Sequence, residues 1–195
     1  MADFMIETSA RHVHVTKETL ELLFGQGFEL VPRAWLSQPG QFASCQRIVV
    51  KGPKGNIKCS ILGPVRNENQ VELSITDARS IGISAPVRES GDLLDTPGCT
   101  LLNPDNGNEV KINSGVIIAK RHIHMTPSDA ESFNVKNGDI VKVKILNDTG
   151  RKVIFEDTVI RVSSNYRLAM HIDTDEANSA ALGTVKGIVK GEIVD

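Results

Sequence analysis

The amino-acid sequence predicts a mainly β protein made of two β-barrel domains with short α-helical caps. Three observations carry this prediction. Short segments in which apolar and polar residues alternate recur along the 195 residues, as is typical of half-buried strands. Gly, Asn and Pro clusters separate these segments and predict turns. Helix-compatible stretches are too few for a Rossmann or TIM architecture, in which helices alternate with parallel strands.

The β-branched alternation that predicts strands occurs in seven segments, namely Arg47–Lys51, Asn56–Leu62, Gln70–Thr76, Glu109–Ile112, Gly115–Ala119, Ile140–Leu146 and Arg151–Arg161. Glycine and asparagine in the intervening turns supply positive φ, whereas proline fixes φ at a negative value. The sequence therefore predicts that hairpins dominate over βαβ crossovers.

An internal repeat indicates how the chain is organised. Ser9–Thr16 and Ala119–Thr126 both read small-x-Arg-His-β-branched-His-x-Thr. A repeat of this kind predicts two structurally related halves. Taken alone, the residues favour a simple tandem with a boundary near Asn113.

Short helices are expected after each copy of the repeat. Thr16 precedes the polar stretch Lys17–Phe24, and Thr126 precedes Pro127–Phe133. Threonine is a favoured N-cap residue because its hydroxyl accepts a hydrogen bond from the first turn, and proline is favoured at the first helical position. A third helix is expected at Thr174–Ala181.

Composition and charge disfavour several partner classes. Hydrophobic residues make up 40% of the chain and charged residues 24%, with a formal net charge of −2. This balance disfavours nucleic acid and acidic membrane surfaces as partners. No apolar run approaches the roughly 20 residues that a transmembrane helix needs, and the first residues do not resemble a secretory signal. We therefore expect a cytoplasmic protein.

The cysteines fit that location. Cys45, Cys59 and Cys99 are odd in number, widely spaced and in no Cys-x-x-Cys pair. Reduced thiols explain this pattern better than a disulfide framework does. Their simplest interpretation is as small apolar residues.

All five histidines of the chain fall into one pattern: His12 and His14, His122 and His124, and His171. In a strand, residues i and i+2 point to the same face, so each pair presents two imidazoles side by side. A single pair could instead serve a cross-strand or capping role, but the duplication favours zinc. Because structural zinc sites usually use four protein ligands with cysteine, a histidine-rich set favours a catalytic two-zinc site.

Glu72 and Arg66 are the further candidate site residues. Glu72 lies in the strand-like run Val71–Thr76 and could complete a ligand set, although an outward-facing solvated carboxylate is the alternative. Arg66 lies in a turn-like context, where its guanidinium could bind a phosphate. The alternative for Arg66 is an ordinary surface arginine. His171 precedes a segment that resembles a capped helix.

The motifs resemble those of the phosphate propanoyltransferase, or phosphotransacylase, family of the propanediol-utilisation type, over nearly the whole chain. The likeness is carried by Arg11–His14, Leu36–Phe42, Gly63–Arg66, Gln70–Leu73, Thr76–Asp77, Arg121–His124 and His171–Asn178. It implies a fold of two interleaved β-barrels, and transfer of an acyl group between coenzyme A and phosphate at two zinc ions.

The resemblance also implies roles for individual residues. His12, His14 and Glu72 would bind one zinc ion, and the remaining three histidines the other. Arg66 would contact phosphate. Arg151 and Asn178 would contact coenzyme A.

The implied domains are not a tandem. Residues 1–10 and 120–195 would form the first barrel, with His122, His124 and His171, and residues 11–119 the second, with the other three ligands.

The implied substrates are propanoyl-CoA or acetyl-CoA and phosphate, with acyl phosphate and coenzyme A as products; a homo-oligomer is compatible with this reading. Members packaged in bacterial microcompartments often carry an N-terminal extension, whereas only ten residues precede Arg11. We therefore expect free cytoplasmic activity rather than shell targeting.

Two other functions remain open from the residues alone. A two-zinc hydrolase would use a metal-bound hydroxide in place of phosphate as the nucleophile. A non-catalytic module would use zinc only to stabilise its fold. No cysteine or serine stands out in the motifs as an acyl carrier, so direct transfer is favoured over a covalent intermediate.

Overall fold

The computed structural model describes residues 2–195. Strands account for 41% of the chain and helices for 15%, which confirms the mainly β class with short helices. Contacts divide the chain into two compact units. The barrel unit contains the chain up to Ser9, Ser37–Pro39 and Lys120–Asp195, and the sheet unit contains Ala10–Leu36 and Gly40–Ala119.

The strands of the described chain are, in order, β1 (Phe4–Ser9), β2 (His12–His14), β3 (Pro32–Trp35), β4 (Phe42–Lys51), β5 (Asn56–Gly63), β6 (Gln70–Glu72), β7 (Val87–Arg88), β8 (Cys99–Leu102), β9 (Glu109–Ile112), β10 (Val116–Ala119), β11 (His122–Met125), β12 (Ile140–Leu146), β13 (Ile154–Val162), β14 (Ala169–Asp173) and β15 (Val189–Val194). The helices are α1 (Lys17–Phe24), α2 (Ile75–Ser80), α3 (Pro127–Ser132) and α4 (Thr174–Ser179), with one 3₁₀ turn at Leu182–Thr184.

The barrel unit closes on itself in the strand order β1-β14-β11-β13-β12-β15. Strand β1 pairs in parallel with β14 and antiparallel with β15, so the first and last strands of the chain are neighbours. The interior is filled by apolar side chains that include Ile123, Val143, Ile160 and Met170. Closure leaves the barrel without exposed strand edges.

The sheet unit is a curled nine-stranded sheet rather than a closed barrel, with β2 flanked by β5 and β6. Its core contains Val13, Ile48, Ile61 and Leu101, which are each fully buried. Because Val13 points into this core, the side chains of its two neighbours, His12 and His14, share the opposite face of β2.

The caps predicted after the repeats are present. The Thr16 side chain accepts a hydrogen bond from the Thr19 backbone at the start of α1. Thr126 and Asp129 form a reciprocal capping box at the start of α3, and Asp173 and Glu176 form another at α4. Side-chain oxygens thus satisfy backbone N–H groups that a helix start leaves without partners.

Two expectations were wrong. The run Gln70–Thr76 was predicted to be strand, but β6 ends at Glu72. Ser74 caps α2 instead and accepts a hydrogen bond from the Asp77 backbone. The division is also not a tandem near Asn113, because β1 belongs to the barrel unit. The short segment Ser37–Pro39 also groups with the barrel unit.

No helix in the part of the chain that the structure describes has both the length and the apolar character of a membrane crossing.

Candidate metal centres

The sheet unit gathers His12, His14 and Glu72 into one cluster. In the antiparallel pair β2/β6, His12 lies opposite Glu72 and His14 opposite Gln70. Nε2 of His12 lies 3.4 Å from Oε2 of Glu72, and Nε2 of His14 lies 3.8 Å from Oε1. The three candidate ligand atoms lie within 4.8 Å of one another. This spacing suits a single metal ion.

Hydrogen bonding fixes the imidazole of His12. Its Nδ1 lies 2.8 Å from the carbonyl oxygen of Ala10. Nδ1–H therefore donates, which leaves Nε2, the atom nearest Glu72, as the nitrogen that carries the second proton or binds a metal. A second ring nitrogen held by a carbonyl is the usual support of a histidine that ligates a metal.

His12 and Glu72 each stabilise the charged form of the other. Burial alone would lower the pKa of His12, but the Glu72 carboxylate raises it. Burial alone would raise the pKa of Glu72, but His12 holds that pKa well below its ordinary value, with help from His14 and Arg66. Burial, His12 and Arg66 lower the pKa of His14 to about 3, so this imidazole is neutral at pH 7.

The barrel unit gathers His122, His124 and His171 in the same way. In the antiparallel pair β11/β14, His122 lies opposite His171 and His124 opposite Ala169. The ring centroid of His122 lies 4.6 Å from that of His124 and 5.3 Å from that of His171. Candidate ligand atoms of the three histidines lie within 4.8 Å of one another.

The same supports recur in the barrel cluster. Nδ1 of His122 lies 2.8 Å from the carbonyl oxygen of Lys120, as His12 lies against Ala10. Burial, with His122 and His171 nearby, lowers the pKa of His124 to about 2. His124 therefore also offers a neutral imidazole.

Both clusters fit a divalent metal. Nδ1 of His14 and Nδ1 of His124 are buried and have no hydrogen-bond partner among the described residues. For His14 it is the other nitrogen, Nε2, that faces Glu72, so the fit to a metal rests on the donor set of each cluster. Neutral imidazoles, alone or with one carboxylate, are the donor set of zinc sites that keep an open position.

The two units repeat one framework around these clusters. Arg11 forms an ion pair with Asp77, the third residue after the Ser74 cap. Arg121 forms an ion pair with Glu176, the third residue after the Asp173 cap. The main difference is the third candidate ligand, a carboxylate in the sheet unit and an imidazole in the barrel unit.

Residues that the sequence reasoning missed surround His171. Glu7 on β1 lies opposite His171, with its carboxylate 3.7 Å from Nδ1, and it accepts a hydrogen bond from the Ser37 hydroxyl. Nε2 of Gln38 lies 3.4 Å from Nε2 of His171 and donates to the carbonyl of Arg167. The signal for Gln38 was its place in Leu36–Phe42, whereas no local pattern pointed to Glu7.

Arg66 lies beside the sheet-unit cluster and lines a cavity of about 360 Å³ with Gln70, Gly91 and Leu93. Its backbone N–H donates to the carbonyl of Val15 at 2.9 Å. The guanidinium is partly exposed and donates to Ser90 Oγ at 3.3 Å. Glu68 also lines this cavity, so the guanidinium of Arg66 is the group there that can bind an anion.

Arg151 and Asn178 are both exposed in the barrel unit. The loop that carries Arg151 is tied to the end of α4, because Asn147 and Thr149 both donate to the carbonyl oxygen of Ala180. Asn178 lies in the last turn of that helix.

Comparison with known proteins gives a consistent result. The sequence model of the family described as phosphate propanoyltransferase matches residues 5–183. A phosphate propanoyltransferase from Leptotrichia buccalis is 55% identical over 177 residues, which cover 90% of this chain and 82% of that protein. Those from Thermotoga maritima and Listeria monocytogenes are 53% and 51% identical, over 92% and 97% of this chain and 85% and 86% of theirs. The chain therefore belongs to the phosphate propanoyltransferase family.

Proposed function

We propose that the chain catalyses the reversible transfer of a propanoyl or acetyl group between coenzyme A and inorganic phosphate, and that each unit binds one zinc ion for this purpose. The observation that carries the proposal is the pair of three-ligand clusters, one at each Arg-His-x-His motif, in a member of the phosphate propanoyltransferase family. Family membership supports the phosphate acyltransferase chemistry, and the clusters support the metal.

The residues that would hold zinc are His12, His14 and Glu72 in the sheet unit, and the three histidines of the barrel unit. Three protein ligands leave a coordination position open for water or substrate. Zinc bound by these residues would supply Lewis acidity toward a carbonyl oxygen and would stabilise a thiolate at neutral pH.

Arg66 is the proposed phosphate-binding residue. Its backbone anchor at Val15 and its contact with Ser90 hold the guanidinium at the cavity beside the cluster. A guanidinium can donate two parallel hydrogen bonds to a phosphate and so orient one oxygen toward the acyl carbon. That oxygen forms the new C–O bond while the C–S bond breaks and its electron pair leaves with the coenzyme A thiolate. Phosphate is already anionic at neutral pH, so this step needs little general-base assistance.

We propose direct transfer without an acyl-enzyme. Neither cluster contains a cysteine. Burial raises the pKa of Cys59 and of Cys99 to about 12, which leaves both as poor nucleophiles at neutral pH. The exposed Cys45 belongs to neither cluster.

Arg151 and Asn178 are the proposed coenzyme A contacts. Their exposure and the hydrogen bonds that tie the Arg151 loop to α4 support a shared surface for a large, phosphorylated ligand. Arginine suits such a ligand because its guanidinium pairs with phosphate groups.

The test is to mix the zinc-loaded protein with propanoyl-CoA and follow thiol release with and without phosphate. Release that requires phosphate and is lost in His124→Ala supports the transferase. Release that persists without phosphate would indicate a thioester hydrolase instead. No release from zinc-loaded protein would favour a non-catalytic metal-binding module. Arg33→Ala, at an exposed arginine on β3, is the control and should release thiol like the parent chain.

A further inference from the structure

Gln70 is a buried polar residue to which neither the metal clusters nor the phosphate site assigns a role. It lies on β6, is 2% exposed, and faces His14 across the β2/β6 pair. Because it precedes Glu72 by two residues in a strand, its side chain lies on the same face as that carboxylate. A buried amide needs partners for both its oxygen and its nitrogen.

Hydrogen bonds assign the orientation of this amide. The backbone N–H of Gly91 donates to Oε1 of Gln70 at 2.8 Å. The amide nitrogen must therefore face the other way, where Nε2 donates to Oε1 of Glu72 at 2.5 Å and to Oγ of Ser90 at 2.8 Å. Rotation of the amide by half a turn would place its oxygen against the Glu72 carboxylate and its NH₂ group against the Gly91 N–H. The observed orientation is thus the only one that satisfies the contacts.

The result for Glu72 is a carboxylate whose two oxygens are not equivalent. Oε1 accepts from Gln70, and Ser90 Oγ lies 3.4 Å from the same oxygen. Oε2 lies closest to Nε2 of His12, at 3.4 Å. Nε2 of His14 lies 3.8 Å from Oε1, but Gln70 and Ser90 already contact that oxygen. Oε2 is therefore the oxygen that these two residues leave for a metal.

We propose that Gln70 is a positioning residue, which holds Glu72 with Oε2 toward the metal and, through Ser90, links this ligand to the phosphate-binding Arg66. The inference rests on the proposed function for the identity of the metal and of the anion. Ser90 is the shared partner, since its hydroxyl oxygen lies within hydrogen-bonding distance of Gln70, Glu72 and the Arg66 guanidinium.

The barrel unit provides an internal comparison. Ala169 lies opposite His124, in the position that Gln70 occupies opposite His14. The third candidate ligand there is the imidazole of His171, whose two nitrogens face different partners, Nδ1 toward Glu7 and Nε2 toward Gln38. The amide beside the third ligand of the barrel unit comes instead from Gln38, whose Nε2 lies 3.4 Å from Nε2 of His171. A residue opposite the second histidine is thus polar only in the unit whose third ligand is a carboxylate.

The test is metal binding by Gln70→Met, which keeps the length of the side chain and removes its hydrogen bonds. A His124→Ala background weakens the barrel cluster, so that the measured site is the one with Glu72. Zinc affinity, measured by competition with a chromophoric chelator, should fall on the order of 10- to 100-fold, as is typical when a residue that supports a ligand is lost. The absorption spectrum of bound Co²⁺ should also change, because that spectrum reports the geometry of the ligand oxygens.

Unchanged zinc affinity and an unchanged Co²⁺ spectrum in Gln70→Met would overturn the inference while the proposed function stands. If the His124→Ala parent binds neither metal, the proposed function and the inference are both contradicted. Gln46→Met is the matched control, because the Gln46 amide accepts from the Val31 backbone and contacts neither Glu72 nor Arg66; it should bind zinc like the parent.

Ser90→Ala, in the otherwise unaltered chain, tests the link to Arg66 and serves as well if Gln70→Met does not fold. It removes the shared hydroxyl but leaves the contact from Gln70 to Glu72. The KM for phosphate should rise several-fold while zinc affinity stays within about twofold of the parent. An unchanged KM for phosphate would contradict the link.

Discussion

Glu72 lies directly opposite His12 across the β2/β6 pair, with its Oε2 3.4 Å from the imidazole Nε2. His122 and His171 lie directly opposite each other in the β11/β14 pair, as His12 and Glu72 do in β2/β6. In each unit, therefore, one strand supplies two candidate ligands and its antiparallel neighbour supplies the third. This arrangement places a ligand set on rigid strands rather than on loops, and a rigid support favours tight metal binding.

Glu72→Gln should remove the negative ligand while keeping the side-chain shape. Zinc content should fall from about two ions per chain to about one, because an amide is a much weaker zinc ligand than a carboxylate. Elemental analysis after gel filtration measures this. Glu109→Gln, at an exposed carboxylate on β9, is the control and should keep both ions. Full zinc content in Glu72→Gln would remove Glu72 from the ligand set.

Arg66→Lys should impair phosphate use even though it keeps the charge. Lysine cannot reproduce the two parallel hydrogen bonds of a guanidinium, and one charge-assisted hydrogen bond contributes about 1.5 to 3 kcal/mol. The kcat/KM for phosphate should therefore fall on the order of 10- to 100-fold. Initial rates at varied phosphate concentration provide the measurement. A fall that appears only in the KM for propanoyl-CoA would assign Arg66 to the other substrate.

The metal-free protein should lose stability as the pH falls from 6.5 to 5.5. The pKa values of His14 and His124 are lowered from 6.5 to about 3 and about 2. In this range the unfolded chain takes up protons on these imidazoles and the folded chain does not, so acidification favours unfolding. Each histidine should contribute a loss of about 1 kcal/mol over this unit of pH.

The two other titratable groups of the sheet cluster, His12 and Glu72, should change this loss of stability between pH 6.5 and 5.5 only slightly. The raised pKa of His12 contributes stability that is complete below pH 6.5 and is lost as the pH rises. The lowered pKa of Glu72 contributes stability that is lost only when the pH falls below 4.5. Urea unfolding with a chelator present measures the change, and His124→Leu should roughly halve it. Equal unfolding free energies at the two pH values would contradict the lowered pKa values.

Ser74→Ala should destabilise the protein by about 1 kcal/mol, because the buried Ser74 side chain accepts a hydrogen bond from the Asp77 backbone as the cap of α2. Ser80→Ala, at the exposed end of the same helix, should cost less than about 0.5 kcal/mol. Urea unfolding of the three proteins gives the comparison. Equal losses in both variants would argue against a specific capping role for Ser74.

Local chemistry explains which features the sequence could predict. The spacing of His12 and His14 places both imidazoles on one face of any strand, and Thr16 and Thr126 cap whatever helix follows them. Both depend only on neighbouring residues. The end of β6 was misplaced because Val71–Thr76 alternates like a strand, while the capping contact of Ser74 favours a helix start.

The supports of the clusters could not be predicted in this way. Glu7 and His171 become neighbours through the parallel pairing of β1 with β14. Gln70 accepts a hydrogen bond from the backbone of Gly91, which lies in a loop far from it in sequence. Strand register and loop closure are set by the packing of the whole unit, and no pattern around Glu7 or Gln70 encodes them.

The pairing of β1 with both β14 and β15 constrains the order in which the chain can fold during synthesis. Phe4 emerges from the ribosome long before its partner Gly191. The strands of the sheet unit all lie between them, so that unit can complete its hydrogen bonding first. Until β15 has been synthesised, β1 cannot form its hydrogen bonds with that strand. The barrel that carries His122, His124 and His171 closes only when β15 joins it.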